Sequence, residues 1–139
     1  MKTVSIPPTW EQIDQLRNNI DQALSEKFKS LKFKAEIITE EILTNVAKYA
    51  FKNQEGEVTF TCGNGLIDGR EAFCIEITDN GEEYNPFLHM KALQNCSIED
   101  RSIGGVGLHL VQEMASHYIY HRIDGRNRIQ IFLLPEGEN

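Results

Sequence analysis

Three stretches of this chain carry residue types and spacings that could do chemistry together. They are Glu41 with Asn45, Asp79-Asn80-Gly81, and Gly104-Gly105-Val106-Gly107. Residues at i and i+4 share a helix face, so Glu41 and Asn45 project side by side, with Thr44 and Lys48 beside them. An Asn carbonyl is a hard oxygen ligand suited to Mg²⁺, which keeps several waters while it binds ATP phosphates. A Glu one turn earlier is placed to orient or deprotonate an attacking hydroxyl or water. Asp79 follows the apolar run from Phe73 to Ile77. A carboxylate at a strand end can accept from an adenine amino group, and Gly81 lets a base approach the backbone. The glycine run precedes a helix starting near Leu108, and residues without Cβ let several N–H groups converge on a phosphate. Taken singly, these are also a solvated helix face, a turn leaving a strand and a loose helix start. Their order in one short chain points to ATP.

The elements that must position these residues follow from periodicity. Thr3 to Ile6 reads as a short strand stopped by Pro7-Pro8. Thr9 is placed to cap a helix carrying Ile13, Leu16, Ile20 and Leu24, with the lone Trp10 expected to pack that helix onto the domain. A second helix is expected from Lys34 to Phe51, with Ile38, Ile42, Leu43, Val46, Ala47 and Ala50 inward, broken by Asn53-Gln54-Glu55-Gly56. Glu57 to Cys62 and Ala72 to Thr78 predict a hairpin, separated by Gly63-Asn64-Gly65 and Asp68-Gly69. From Glu82 to Ile103 periodicity is weak, with one short helix expected from Pro86 to Gln94. So long a connection reads as a lid, in which Lys91 and Arg101 could reach a terminal phosphate. A helix from Gly105 to His117 follows, then a hairpin of Tyr118 to Ile123 and Arg128 to Leu134 turned at Asp124-Gly125-Arg126-Asn127. The sum is one α+β domain over residues 1–139, a two-layer sandwich with a mixed, mostly antiparallel sheet and helices on one face.

Composition narrows the function classes. The net charge of −7 argues against unspecific nucleic-acid binding, which needs clustered Lys and Arg. Lys27, Lys29, Lys32 and Lys34 alternate with Phe28, Leu31 and Phe33, as at a solvated helix end. Cys62, Cys74 and Cys96 lack any Cys-x-x-Cys pair, so neither a disulfide framework nor a zinc site is indicated. His109, His117 and His121 fall on different elements and do not converge as metal ligands. No run has the length of a signal peptide core or a membrane span, and a soluble cytoplasmic domain is expected.

Read together, the three stretches resemble the ATP-binding domain shared by gyrase, a heat-shock chaperone family, histidine kinases and MutL, the Bergerat-type fold. More narrowly, the whole chain resembles the stand-alone serine kinases that act as anti-sigma factors. Glu41-Ile42-Leu43-Thr44-Asn45-Val46-Ala47-Lys48-Tyr49-Ala50 looks like that family's N box, and Asp79-Asn80-Gly81 like its first glycine box. The stretch from Asp100 to Val111 looks like the second glycine box, and with Tyr120 and Asp124-Gly125-Arg126-Asn127 it is the most specific part of the match. The resemblance implies Asn45 as the Mg²⁺ ligand, Glu41 as catalytic base and Asp79 as the adenine acceptor. Gly81, Gly105 and Gly107 would shape the pocket, and Arg101, Gly104, Val106 and Leu108 complete the ATP contacts. It further implies a STAS-type anti-sigma-factor antagonist as the phosphorylated partner, with a sigma factor and a second copy of the chain as further candidates. A nucleotide-dependent binding module without transfer, or a slow ATPase, are the competing functions. The chain departs from the family at Tyr49, where many relatives carry histidine, and at Ser116, where they often carry an acid. Its final strand offers Arg128, Ile129 and Gln130 in place of a threonine for adenine.

Overall fold

Two Asp-Gly dipeptides lay out the sheet in the computed structural model, which describes residues 1–88 and 103–135, the side chains of 103–108 excepted. Asp68 and Gly69 have φ of 51° and 77°, and Asp124 and Gly125 have φ of 52° and 75°. Positive φ at both central residues is what a type I′ turn requires, and its twist matches that of the strands it joins. The strands are β1 (Lys2–Ile6), β2 (Gly56–Ile67), β3 (Arg70–Asp79), β4 (His117–Ile123) and β5 (Arg126–Leu133). Both hairpins, β2–β3 and β4–β5, therefore close through two residues only.

This geometry corrects two expectations. Gly63, Asn64 and Gly65 do not separate strands; they continue β2, opposite Cys74, Phe73 and Ala72. Arg126 and Asn127 do not belong to a four-residue turn; they are the first residues of β5, opposite Ile123 and Arg122. In each case a tight turn lets the ladder start sooner than a glycine- or polar-rich stretch suggests.

The sheet order is β1-β2-β3-β5-β4, and every pairing is antiparallel. Helices α1 (Trp10–Ala23), α2 (Lys32–Asn45) and α3 (Ile103–Met114) complete the expected α+β sandwich. One core joins the layers. Phe73, Ile75 and Ile77 of β3 lie opposite Leu133, Ile131 and Ile129 of β5, and all are buried with Leu16 and Ile20 of α1 and Ile38, Ile42 and Leu43 of α2. The next rung along the same stripe is Asp79 opposite Asn127, and it is buried as well.

The helices form for local reasons. Thr9 and Gln12 make a reciprocal capping box at the start of α1. The Arg17 guanidinium reaches Glu40 at 2.7 Å, tying α1 to α2. The lysine-rich stretch is a 3₁₀ turn, Glu26–Leu31, that points Phe28 and Leu31 inward. After Asn45 the helical path widens into a π turn, Val46–Ala50, and ends where Lys52 and Asn53 take positive φ. Trp10, expected to pack α1 onto the domain, is 80% exposed. It precedes the buried Leu16 by six residues, about 240° round the helix, and so misses the stripe that faces the sheet. Residues 86–88 are helical, and the remainder of the helix and lid expected there lies outside the described residues.

Core and edge positions should respond differently to truncation. Ile75→Ala, at a fully buried rung, is expected to cost about 3 kcal/mol in urea unfolding. Leu66→Ala, where the side chain is 67% exposed, should change stability by less than about 0.5 kcal/mol.

Candidate functional site

Asp79 is the last residue of β3 and continues the apolar phase of Phe73, Ile75 and Ile77, so the pleat itself turns its carboxylate inward. Its Oδ1 accepts from the backbone N–H of Gly81 at 2.8 Å and from Nδ2 of Asn127 at 2.9 Å. Its Oδ2 is buried and has no partner among the described residues. Burial pushes the carboxyl above its ordinary range, against the opposing pull of the Asn127 and Gly81 bonds and the Arg122 charge. A carboxylate with one oxygen saturated and the other buried and bare is prepared for an outside donor.

Asn45 repeats this arrangement on α2. Its Nδ2 donates to the Glu41 carbonyl at 2.7 Å, one turn back. A carbonyl oxygen only accepts, so the amide nitrogen must face it and the remaining atom is the oxygen. That Oδ1 is buried without a partner among the described residues. A neutral, dehydrated carbonyl oxygen left bare is the donor that a hard divalent cation accepts, and the residue present fits Mg²⁺.

The side chain of Glu41, partly buried beside Asn45, has no hydrogen bond or ion pair among the described residues. Burial, with the neighbouring Glu40 charge adding to it, raises the Glu41 carboxyl above its ordinary value. Glu40 itself faces α1 and is held by Arg17. The adjacent acids Glu40 and Glu41 are thus divided, one tied to a structural cation and one with its side chain unpaired among the described residues.

A close backbone contact joins these two parts. The N–H of Glu82 donates to the Ala50 carbonyl at 2.9 Å, and a Cβ on Gly81 would lie 2.7 Å from that same oxygen. Glycine is therefore required at 81 by the approach of the π turn that follows Asn45. The Arg122 guanidinium closes the contact from β4, donating to the Gly81 carbonyl at 2.9 Å. Tyr49 and Tyr84 stack across the same junction with centroids 5.1 Å apart, and burial raises the Tyr84 phenol above its ordinary value. Tyr49, the departure from the resembling family, thus has a packing partner here. Ser116 likewise serves the chain locally, its Oγ accepting from the N–H of Leu134 at 3.1 Å.

The glycine run is placed differently from the expectation of a turn preceding a helix. α3 begins at Ile103, so Gly104, Gly105, Val106, Gly107 and Leu108 lie within its first two turns, and α3 packs against α2. The first N–H groups of a helix have no partner within it, and glycine leaves them uncovered. Arg101 and Lys91 lie outside the described residues. The histidines stay apart: His109 pairs with Glu113 along α3 at 3.1 Å, while His117 and His121 are on β4. No group of three His, Cys, Asp or Glu among the described residues could hold a metal, and no described helix is long and apolar enough to cross a membrane. Cys62 and Cys74 are free thiols, the first pushed up to about 11 by burial and the second also raised.

Sequence reasoning missed Asn127 as a site residue. It is completely buried and meets Asp79 across the β3–β5 ladder. Counting back by twos from Leu133 through Ile131 and Ile129 reaches Asn127, a polar residue in apolar phase, which was the available signal.

The fold and this site define a nucleotide-binding domain of known class. The chain belongs to the histidine kinase-like ATPase domain family, whose model matches residues 6–133. Membership carries ATP binding with it. Among characterised proteins the chain is similar to the serine/threonine-protein kinase BtrW of Bordetella bronchiseptica. The two are 27% identical over 111 residues, spanning 78% of this chain and 75% of that protein.

Asp79→Asn should separate binding from folding. The amide can still accept at Oδ1 but cannot accept from an amino group at its other atom, so ATP affinity is expected to fall about 30-fold or more by calorimetry. Because the folded-state carboxyl is raised, the native form binds the proton more tightly than the unfolded chain. Stability of the nucleotide-free protein therefore falls as pH rises from the ordinary carboxylate range through that higher value. In Asp79→Asn this part of the slope should be gone, and stability at neutral pH equal to or above wild type.

Proposed function

We propose that this protein is an ATP-dependent serine/threonine protein kinase of a partner-switching pathway. It transfers the γ-phosphoryl group to a serine on a STAS-type antagonist and holds a sigma factor or similar regulatory target when that antagonist is phosphorylated. The observation that carries the reading is that two of the four buried side-chain oxygens without a partner among the described residues, Asn45 Oδ1 and Asp79 Oδ2, stand on α2 and β3 of a histidine kinase-like ATPase fold, the others being Thr39 Oγ1 and Gln112 Oε1. Burying a bare polar oxygen costs about 1–3 kcal/mol, a cost that a bound donor at Asp79 and a bound cation at Asn45 would offset. The likeness to a serine/threonine-protein kinase supports transfer to a hydroxyl over simple hydrolysis.

The chain's residues divide the work. Asp79 selects the base by accepting from its amino group, and the start of α3 offers N–H groups to the phosphates. Asn45 would hold Mg²⁺, which when bound neutralises phosphate charge. Glu41, one turn away and unpaired, takes the proton from the incoming serine hydroxyl. Its raised carboxyl keeps it a stronger base than an exposed Glu, and it must be ionised to act. Transfer should accordingly fall as pH drops through that raised value.

The decisive measurement mixes purified protein, Mg-ATP and antagonist proteins encoded nearby, and reads phosphoserine by mass spectrometry. Glu41→Ala is expected to bind Mg-ATP almost as wild type does and to lower transfer about 10²-fold or more. A wild-type protein that binds an antagonist in an ATP-dependent way but never phosphorylates one is instead a nucleotide-dependent binding module.

Asn45→Ala tests the cation ligand. Nucleotide affinity measured with Mg²⁺ and with EDTA should differ strongly for wild type and little for the variant. A variant that gains as much from Mg²⁺ as wild type removes Asn45 from that role.

A further inference from the structure

Asn127 makes four hydrogen bonds that use every polar site of its side chain. Nδ2 donates to Asp79 Oδ1 at 2.9 Å and to the Glu82 carbonyl at 2.8 Å. Oδ1 accepts from the Tyr84 N–H at 3.1 Å and from the Tyr120 hydroxyl. The assignment of nitrogen and oxygen is not arbitrary. The Tyr84 N–H can only donate and the Glu82 carbonyl can only accept, so the amide fits one way round. Fully buried and fully satisfied, this amide has no freedom to rotate.

Its effect on Asp79 is directional. A carboxylate can swing about its last torsion and present either oxygen. Here Asn127 and the Gly81 N–H both seize Oδ1 and leave Oδ2 bare. The same amide pins the backbone at 82 and 84, and so fixes the segment that leaves β3 relative to β5.

We propose that Asn127 is the positioning residue for base recognition. By locking one oxygen of Asp79, it aims the other at the exocyclic amino group of adenine, and so sets discrimination for a 6-amino purine without touching the nucleotide itself. The inference rests on the ATP-site reading above and adds to it the residue that makes the Asp79 acceptor selective. Tyr120, bonded to the far side of the amide, holds Asn127 in turn.

The test compares the affinity of the whole chain for ATP and for purine riboside triphosphate, which lacks the 6-amino group, by calorimetry with Mg²⁺ present. Wild type should favour ATP by about 10-fold or more, the scale for a site left with an unmet polar group. In Asn127→Leu, which has the same number and branching of side-chain heavy atoms but no polar atoms, that preference should shrink to about 2-fold or less. Affinity for the amino-free analogue should stay within about 3-fold of wild type. A merely structural role would weaken both nucleotides alike and keep the ratio, which overturns the proposal. Should Asn127→Leu fail to fold, Tyr120→Phe removes one bond to the amide and keeps the ring. It should lower the ratio by about 3-fold, and an unchanged ratio there also overturns the proposal. Wild type that binds both nucleotides equally defeats this inference while the ATP site stands. Wild type that binds neither defeats the site reading itself.

Discussion

The rung formed by Asp79 and Asn127 is the constraint on which the site depends. It is the place where a stripe of apolar cross-strand pairs turns polar without leaving the core. These two buried polar side chains on adjacent strands hold each other with help from three backbone groups and a tyrosine, which satisfies Asn127 fully and Asp79 at Oδ1. That network fixes the end of β3, and the end of β3 fixes Gly81 and Glu82. These dock on the Ala50 carbonyl at the close of the π turn. One chain of contacts therefore runs from β5 through β3 to the helix that carries Glu41 and Asn45. The π turn at that point is wider than an α turn and redirects the chain directly after Asn45.

The same construction explains why the site holds energy in reserve. Asn45 and Asp79 are each half satisfied, with one polar atom tied down and the other buried and bare. The two carboxyls of the site, Glu41 and Asp79, are both raised mainly by burial, so each is more stable protonated in the folded chain than in the unfolded one. Evolution of a purely stable core would replace such groups with apolar ones. Under the proposed function their presence is preorganisation seen from the thermodynamic side: the acceptors stand oriented, and an arriving ligand would return the folding cost.

Much of this was legible in the sequence because it is local. The i, i+4 spacing of Glu41 and Asn45 survives folding unchanged, since any helix through that stretch puts them on one face. The inward stripe from Ile38 to Ala50 and the cap at Thr9 follow from periodicity and side-chain chemistry within a few residues. Asp79 at a strand end, the α+β sandwich and the family resemblance were equally open to reading, because short motifs and alternation are properties of neighbouring residues. Where local reading failed, it failed on phase. Trp10 lies about 240° round the helix from Leu16 and so off the buried stripe, and Gly63 to Gly65 look like a loop but continue a ladder.

What only the tertiary structure decided is which distant groups meet. The sequence by itself determined that an acid, an amide and a glycine run would stand at the ends of particular elements. It could not say that Asn127 belongs to the core. A strand register depends on the turn that starts it, and a shift of one residue would send that side chain to the other face. Nor could it show that Gly81 is needed for the approach of Ala50, or that Oδ2 of Asp79 and Oδ1 of Asn45 are left bare. Each of these is a count of partners supplied by other strands and turns, and that count exists only once the backbone has closed around them.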